Sequence, residues 1–202
     1  TASQGVTFTP TDAANYNPVT TTVSVAVSKA TPTISVAPTA SGITFGQTLA
    51  NSTLSGGTAS TAGTFVFTTP SIAPNAGTAS QGVTFTPTDT TNYNTATTTV
   101  SLAVAKATPT ISVAPTASGI TFGQTLANST LSGGTASTAG TFVFTTPSIA
   151  PNAGTASQGV TFTPTDTTNY NTATTTVSLA VAKATPTISV APTASGITFG
   201  QT

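Results

Sequence analysis

Between Ala96 and Ala105 the chain alternates, with Val100, Leu102 and Val104 sharing one face and Thr99, Ser101 and Ala103 the other. A period of two is that of a strand, whose successive side chains point to opposite sides of the sheet. The same period joins Ile34 to Val36, Ile43 to Phe45, Phe65 to Phe67 and Val83 to Phe85. The pattern predicts strands near Thr33–Ala37, Gly42–Phe45, Thr53–Ser60, Thr64–Thr68, Thr78–Thr86 and Ala96–Ala105, whose apolar positions form two inner faces. Gly56-Gly57, Thr69–Ser71, Pro74–Gly77 and Pro87–Asp89 supply the turn signals. Thr, Val, Ile and Phe fill the ordered stretches and helical runs are missing, so the expected fold class is all-β, with the short strands that a β-sandwich of this size requires. A module this small needs nearly all of its Phe and β-branched side chains, and Tyr93, in the core.

The whole pattern recurs every 77 residues: Thr31–Gly77 is identical to Thr108–Gly154, and Thr1–Pro10 returns at Thr78 and at Thr155. Only the first copy differs, with Ala13, Ala14, Pro18, Val19, Val25 and Ser28 where the next has Thr90, Thr91, Thr95, Ala96, Leu102 and Ala105. Repetition at a fixed period marks an array of one structural unit, and points to length, spacing or avidity before it points to chemistry. With boundaries at the Lys-Ala-Thr-Pro junctions, residues 1–29 are the C-terminal part of a repeat, 30–106 and 107–183 are complete repeats, and 184–202 open the next one. Lys106, Ala107 and the pre-proline Thr108 are almost all that separates the last strand of one module from the first of the next. Such short, proline-restrained connections favour a stiff rod. A ten-residue strand predicts that each module adds roughly 35 to 40 Å.

A second architecture competes. Thr39–Phe45, Thr58–Phe65 and Thr78–Phe85 resemble one another and put Phe at a spacing of 20. Coils of about 20 residues build β-solenoids. The spacing lapses after Phe85 and resumes only at Phe122, which favours the sandwich.

Composition narrows the function. His, Cys, Glu, Arg, Trp and Met are all absent, and the charged residues are Asp12, Asp89, Asp166, Lys29, Lys106 and Lys183, one acid and one base per repeat. General acid–base pairs, nucleophile triads and His/Cys metal sites need groups this chain lacks. A single carboxylate per module makes neither a glycosidase pair nor a calcium cage. No catalytic, cofactor-binding or metal-ligating residue is therefore assigned, and no enzyme activity or cofactor is expected. A charged fraction of 3% and a formal net charge of zero offer no attraction to nucleic acid or anionic lipid. No apolar run approaches the roughly 20 residues of a membrane span.

Lys29–Ile34, Gly42–Leu49, Gly63–Phe67 and Val83–Tyr93, with the alternating strand that follows, resemble the bacterial immunoglobulin-like repeats of very large surface and secreted proteins. The Thr-Pro-Thr-Asp-x-x-Asn-Tyr signature carries most of the likeness, which extends over the whole chain. The resemblance implies an Ig-like sandwich with a structural or adhesive role, outside the bacterial cell or on its surface, and it brings no catalytic residue.

Asp89, Asn92 and Tyr93, with Asp12, Asn15, Tyr16 and Asp166, Asn169, Tyr170, form the one polar group present in every copy. An Asx-type turn with a packed Tyr explains it. Lys106 with Asp89 and a nearby Asn could form an isopeptide cross-link of the kind known in some bacterial surface Ig-like domains. An exposed linker Lys is the simpler reading, because both residues sit in polar, proline-flanked segments. Thr97–Thr99 and Thr84–Thr86 resemble ice-binding Thr arrays, yet strand propensity on a solvated face accounts for them. Asn51–Thr53 and Asn128–Thr130 match the N-glycosylation pattern. The function expected is a structural spacer, stalk or fibre shaft of an adhesin-like or filament protein, whose partners are the neighbouring repeats and, in a filament, other copies. Its rival is a multivalent module that binds a glycan or another surface weakly.

Overall fold

The computed structural model describes residues 1–200; Gln201 and Thr202, the end of the terminal partial repeat, lie outside the described residues. The chain divides into two compact units, Thr1–Lys106 and Ala107–Thr202.

The first unit opens with an antiparallel hairpin of β1 (Ala2–Phe8) and β2 (Val19–Val25), paired from Ala2 opposite Val25 to Phe8 opposite Val19. The complete repeat follows: β3 (Ile34–Val36), β4 (Thr39–Ala40), β5 (Ile43–Thr44), β6 (Leu54–Ser55), β7 (Thr58–Ala59), β8 (Gly63–Phe67), β9 (Gly77–Pro87) and β10 (Ala96–Ala105). A four-stranded sheet runs β5-β10-β9-β8, antiparallel except for the parallel β5–β10 pair. Two ribbons, β3 with β7 and β4 with β6, form a smaller second layer. The core lies between the layers. Val100, Leu102 and Val104 project from β10 to meet Ile43, Leu49, Phe67 and Val83, while Ala40 and Leu54 of the second layer close over them.

Local chemistry explains the breaks. The stretch Thr53–Ser60, expected as one strand, is two, because Gly56 and Gly57 adopt φ of 69° and 89° and turn the chain. Glycine suits Gly57 for a second reason: a Cβ there would lie 2.7 Å from the Phe65 ring. Strand β4 and a 3₁₀ turn at Leu49–Asn51 were not legible from periodicity. That turn closes on itself, Asn51 N–H donating to the Thr48 carbonyl (3.0 Å) and Thr48 N–H to Asn51 Oδ1 (3.0 Å), and it drives Leu49 into the core.

Two expectations are corrected. Val36, assigned to an inner face, is exposed, since the register shifts between Ile34 and Val36 in a strand of three residues. The solenoid fails: Phe65 and Phe85 face each other across the antiparallel β8–β9 pair, ring centroids 4.9 Å apart, whereas solenoid coils stack like residues in parallel.

The second unit repeats the layout with β11 (Ile111–Val113), β12 (Thr116–Ala117), β13 (Ile120–Thr121), β14 (Leu131–Ser132), β15 (Thr135–Ala136), β16 (Gly140–Phe144), β17 (Gly154–Pro164) and β18 (Ala173–Ala182). Its sheet runs β13-β18-β17-β16, and its core is Ile120, Leu126, Phe144, Val160, Val177, Leu179 and Val181. From Ala184 to Gly200 no residue is in a strand and all are exposed.

Candidate functional site

The polar group repeated in every copy sits in the turn between the two long strands. In the first complete repeat the Asp89 carboxylate accepts the Thr91 and Asn92 N–H groups on Oδ1 (3.0 and 3.1 Å) and the Asn92 side-chain amide on Oδ2 (2.7 Å). Tyr93 N–H donates to the Asp89 carbonyl at 3.2 Å, and Tyr93 is half-buried. This is an Asx-type turn whose carboxylate oxygens are both occupied by donors of its own loop. The Asn92 side-chain amide, then the Asn92 N–H, hold the Asp89 carboxyl below its usual range, against the opposing effect of desolvation; Thr91 N–H and the Lys29 ammonium add lesser lowering.

The equivalent turns repeat the chemistry. Asn15 donates its N–H and side-chain amide to Asp12 (3.2 and 2.9 Å), and Asn169 does the same to Asp166 (3.1 and 2.8 Å). Tyr16 is exposed where Tyr93 and Tyr170 are half-buried. Among the described residues no three of the His, Cys, Asp and Glu type gather where a metal ion could be held.

The lysine placed on the Asp89 turn is Lys29, from the junction before the module, whose ammonium donates to the Thr90 carbonyl at 2.7 Å. The cross-link set aside above in favour of an exposed linker Lys would have paired Lys106 with Asp89. Lys29 is brought there because the next residue, Ala30, is stitched to the turn: its N–H donates to the Asn92 carbonyl (2.9 Å) and its carbonyl accepts Asn94 N–H (2.8 Å), forming a parallel bridge to Tyr93. Ala107 makes the same bridge to Tyr170, with bonds of 3.0 and 2.8 Å to Asn169 and Asn171. Only Lys106 stands between the end of β10 at Ala105 and this bonded Ala107. Sequence reading missed the stitch; Asn94, one residue beyond the Asp-x-x-Asn-Tyr signature, was its available signal.

The other singled-out residues lie apart from this turn. Asn51 of the glycosylation pattern is exposed, its Oδ1 taken by Thr48 N–H. Thr97 and Thr99 face solvent on β10 opposite Thr84 and Gly82, and the Thr84 and Thr68 hydroxyls bond at 2.9 Å. A groove of about 510 Å³ runs past Gly42, Thr44, Gln47, Thr78 and Ala103, and its counterpart in the second unit measures about 480 Å³. Neither is lined by an ionisable side chain, so neither has a group that could move a proton.

The geometry defines a class: an all-β module of two sheet layers with almost no helix, whose repeated polar turn bonds backbone of its own loop. No family model matches the chain. No curated protein matches it either. Among solved structures the chain is similar to an I-band fragment of titin, at 10% identity and a TM-score of 0.32, over 75% of this chain and 66% of that one. It is also similar to the titin z1z2 domains in complex with telethonin, at 13% identity and a TM-score of 0.25, over 79% of this chain and all of that one. The fold assignment rests on the sheets and the core described above.

Proposed function

We propose that the chain is a run of Ig-like β-sandwich modules serving as a spacer, stalk or fibre shaft of a bacterial extracellular or cell-surface protein, without enzymatic activity of its own. The observation that supports this most is the one-residue junction. Ala105 closes β10, Lys106 follows, and Ala107 is already hydrogen-bonded into the next module, so one residue joins consecutive repeats. A connection this short supports a role in which each identical copy adds length. The one-acid, one-base composition of each repeat fits a role in which the chain's reach matters and its side chains do no chemistry.

Small-angle scattering from arrays of increasing copy number tests the proposal. The expected maximum dimension grows linearly, by roughly 35 to 40 Å per added repeat. A dimension that stays flat as copies are added would reject the spacer.

The second reading, weak multivalent binding to a glycan, draws on the uncharged outer face of the large sheet, where Ser80, Thr84, Thr97, Thr99 and Ser101 offer hydroxyl groups. That face lacks an aromatic platform. Binding of the intact chain to a glycan array would favour this reading over the spacer.

A further inference from the structure

We propose that one edge of each four-stranded sheet, strand β8 in the first unit and β16 in the second, is a pairing edge for a second copy of this chain, joined antiparallel about Phe65 or Phe142. The pairing needs a module and not an array, so it does not rest on the spacer reading.

A sheet leaves two edges, and here they are unlike. One is β5, two residues long and too short to recruit another strand. The other is β8, five residues in unbroken register with β9, from Gly63 opposite Pro87 to Phe67 opposite Val83, with no strand on its far side. Along an antiparallel pair, residues that bond across alternate with residues whose N–H and C=O point away. Thr68 N–H donates to the Gly82 carbonyl and Thr88 N–H to the Ala62 carbonyl, both at 2.9 Å, so the even-numbered positions bond to β9. The backbone groups of Gly63, Phe65 and Phe67 are therefore aimed at the open side. An extended backbone is what such a row of donors and acceptors takes up.

Edge strands are commonly guarded by a Lys, a Pro or a bulge. Strand β8 has none of these: its register is unbroken, Pro70 falls beyond its end, and no residue from Ala30 to Thr88 carries a charge. Beside it lies a groove of about 330 Å³ whose walls include Leu49, Leu54, Phe65 and Pro70, and Val66 on the outer face is 52% exposed. An edge this neutral and apolar matches a partner equally free of charge, and the strand is complementary to itself. Turned antiparallel about Phe65, it sets Phe67 opposite the bare Gly63 of the other copy on the inner face. On the outer face Val66 meets Thr64, a cross-strand pair of two β-branched side chains. Strand β16 has the same residues, the same register with β17 and the same place at the end of its sheet, so each chain offers two such edges.

Sedimentation velocity of the full chain over a range of concentrations tests the pairing. The wild type is expected to associate as concentration rises. Val66→Lys with Val143→Lys is expected to stay monomeric, because a charge on each edge strand opposes pairing. Thr44→Lys with Thr121→Lys puts the same charges on exposed positions of the short opposite edge and is expected to associate like the wild type. A monomeric wild type would overturn the proposal, as would association that survives the lysines on β8 and β16 or is lost equally in the control. The chain has no cysteine, so introduced thiols report the register. Chains carrying Thr64→Cys and Thr141→Cys, mixed under mild oxidation with chains carrying Val66→Cys and Val143→Cys, are expected to form mixed disulfide dimers in excess over like-with-like ones. Directly opposite positions are close enough for the bond and diagonal ones are not. Equal yields would overturn the antiparallel pairing. Should the lysine variant not fold, the disulfide test decides alone.

Discussion

The hairpin β1–β2 and the hairpin β9–β10 are nearly the same sequence in two settings. Phe85 is 1% exposed and Val83 fully buried, whereas their counterparts Phe8 and Val6 are 65% and 46% exposed. Val100, Leu102 and Val104 are core residues, yet Val23, Val25 and Val27 all face solvent. The strand pairing is the same in both, so the hairpin does not make the core. What β1–β2 lacks is the cover: β5 with Ile43, the 3₁₀ turn with Leu49, β8 with Phe67, and the second layer with Ala40 and Leu54. A lone hairpin is marginal in water, and burial by the rest of the module is what fixes these strands in place.

The largest effect that sharpens this comparison is Phe85→Ala, expected to destabilise its module by about 3 to 5 kcal/mol, because it empties a fully buried site beside the Phe65 ring. Phe8→Ala is expected to change the stability of the same chain by no more than the error of a chemical denaturation curve. Equal costs at the two positions would contradict the difference in burial. Gly63→Ala should follow at about 1 to 3 kcal/mol, since a new Cβ would collide with the Phe85 ring and the Thr86 carbonyl. Gly5→Ala on the uncovered hairpin meets nothing within 4 Å and should be neutral.

How much of this was legible in the sequence divides along the same line. The alternation of Val100, Leu102 and Val104 gave β10 its bounds and its buried face, and Val83 and Phe85 fixed the inner face of β9, because long paired strands keep a strict period of two. The covering elements are three residues or fewer apart from β8, too short for any period to show, and so β4 and the Leu49 turn went unseen. The Asp89 turn was readable because Asp-x-x-Asn bonds within itself. Its partner Lys29 was not, since it is 61 residues from Thr90.

Two smaller effects test the junctions and the turns. Lys29 and Lys106 each precede an alanine whose backbone is bonded into a module. Trypsin needs an unpaired segment, so cleavage after Lys29 and Lys106 should be slow and should leave folded products. Fast cleavage at Lys29 would mean that the Ala30 bridge does not hold. The acid response should be smallest. A lowered carboxyl pKa contributes stability that is present above the unfolded value and lost as pH falls through the folded one. For Asp89 that loss lies below 3.8, so the melting temperature should stay level across the neutral and mildly acidic range and begin to fall only in stronger acid. A steep drop in mildly acidic buffer would point to a titrating group other than this turn.

The stitch at Ala30 and Ala107 has a consequence for how such a chain changes over generations. Each module receives the incoming strand on its own Asp turn, through bonds to Asn92 and Asn94 or to Asn169 and Asn171, so every junction is made from parts that travel with the copy. Inserting or excising one 77-residue unit between a Lys and the following Ala leaves every remaining seam chemically identical. For a chain with the proposed spacer role, reach would then be an inherited integer, changed in whole 77-residue steps with no seam to re-evolve after each step.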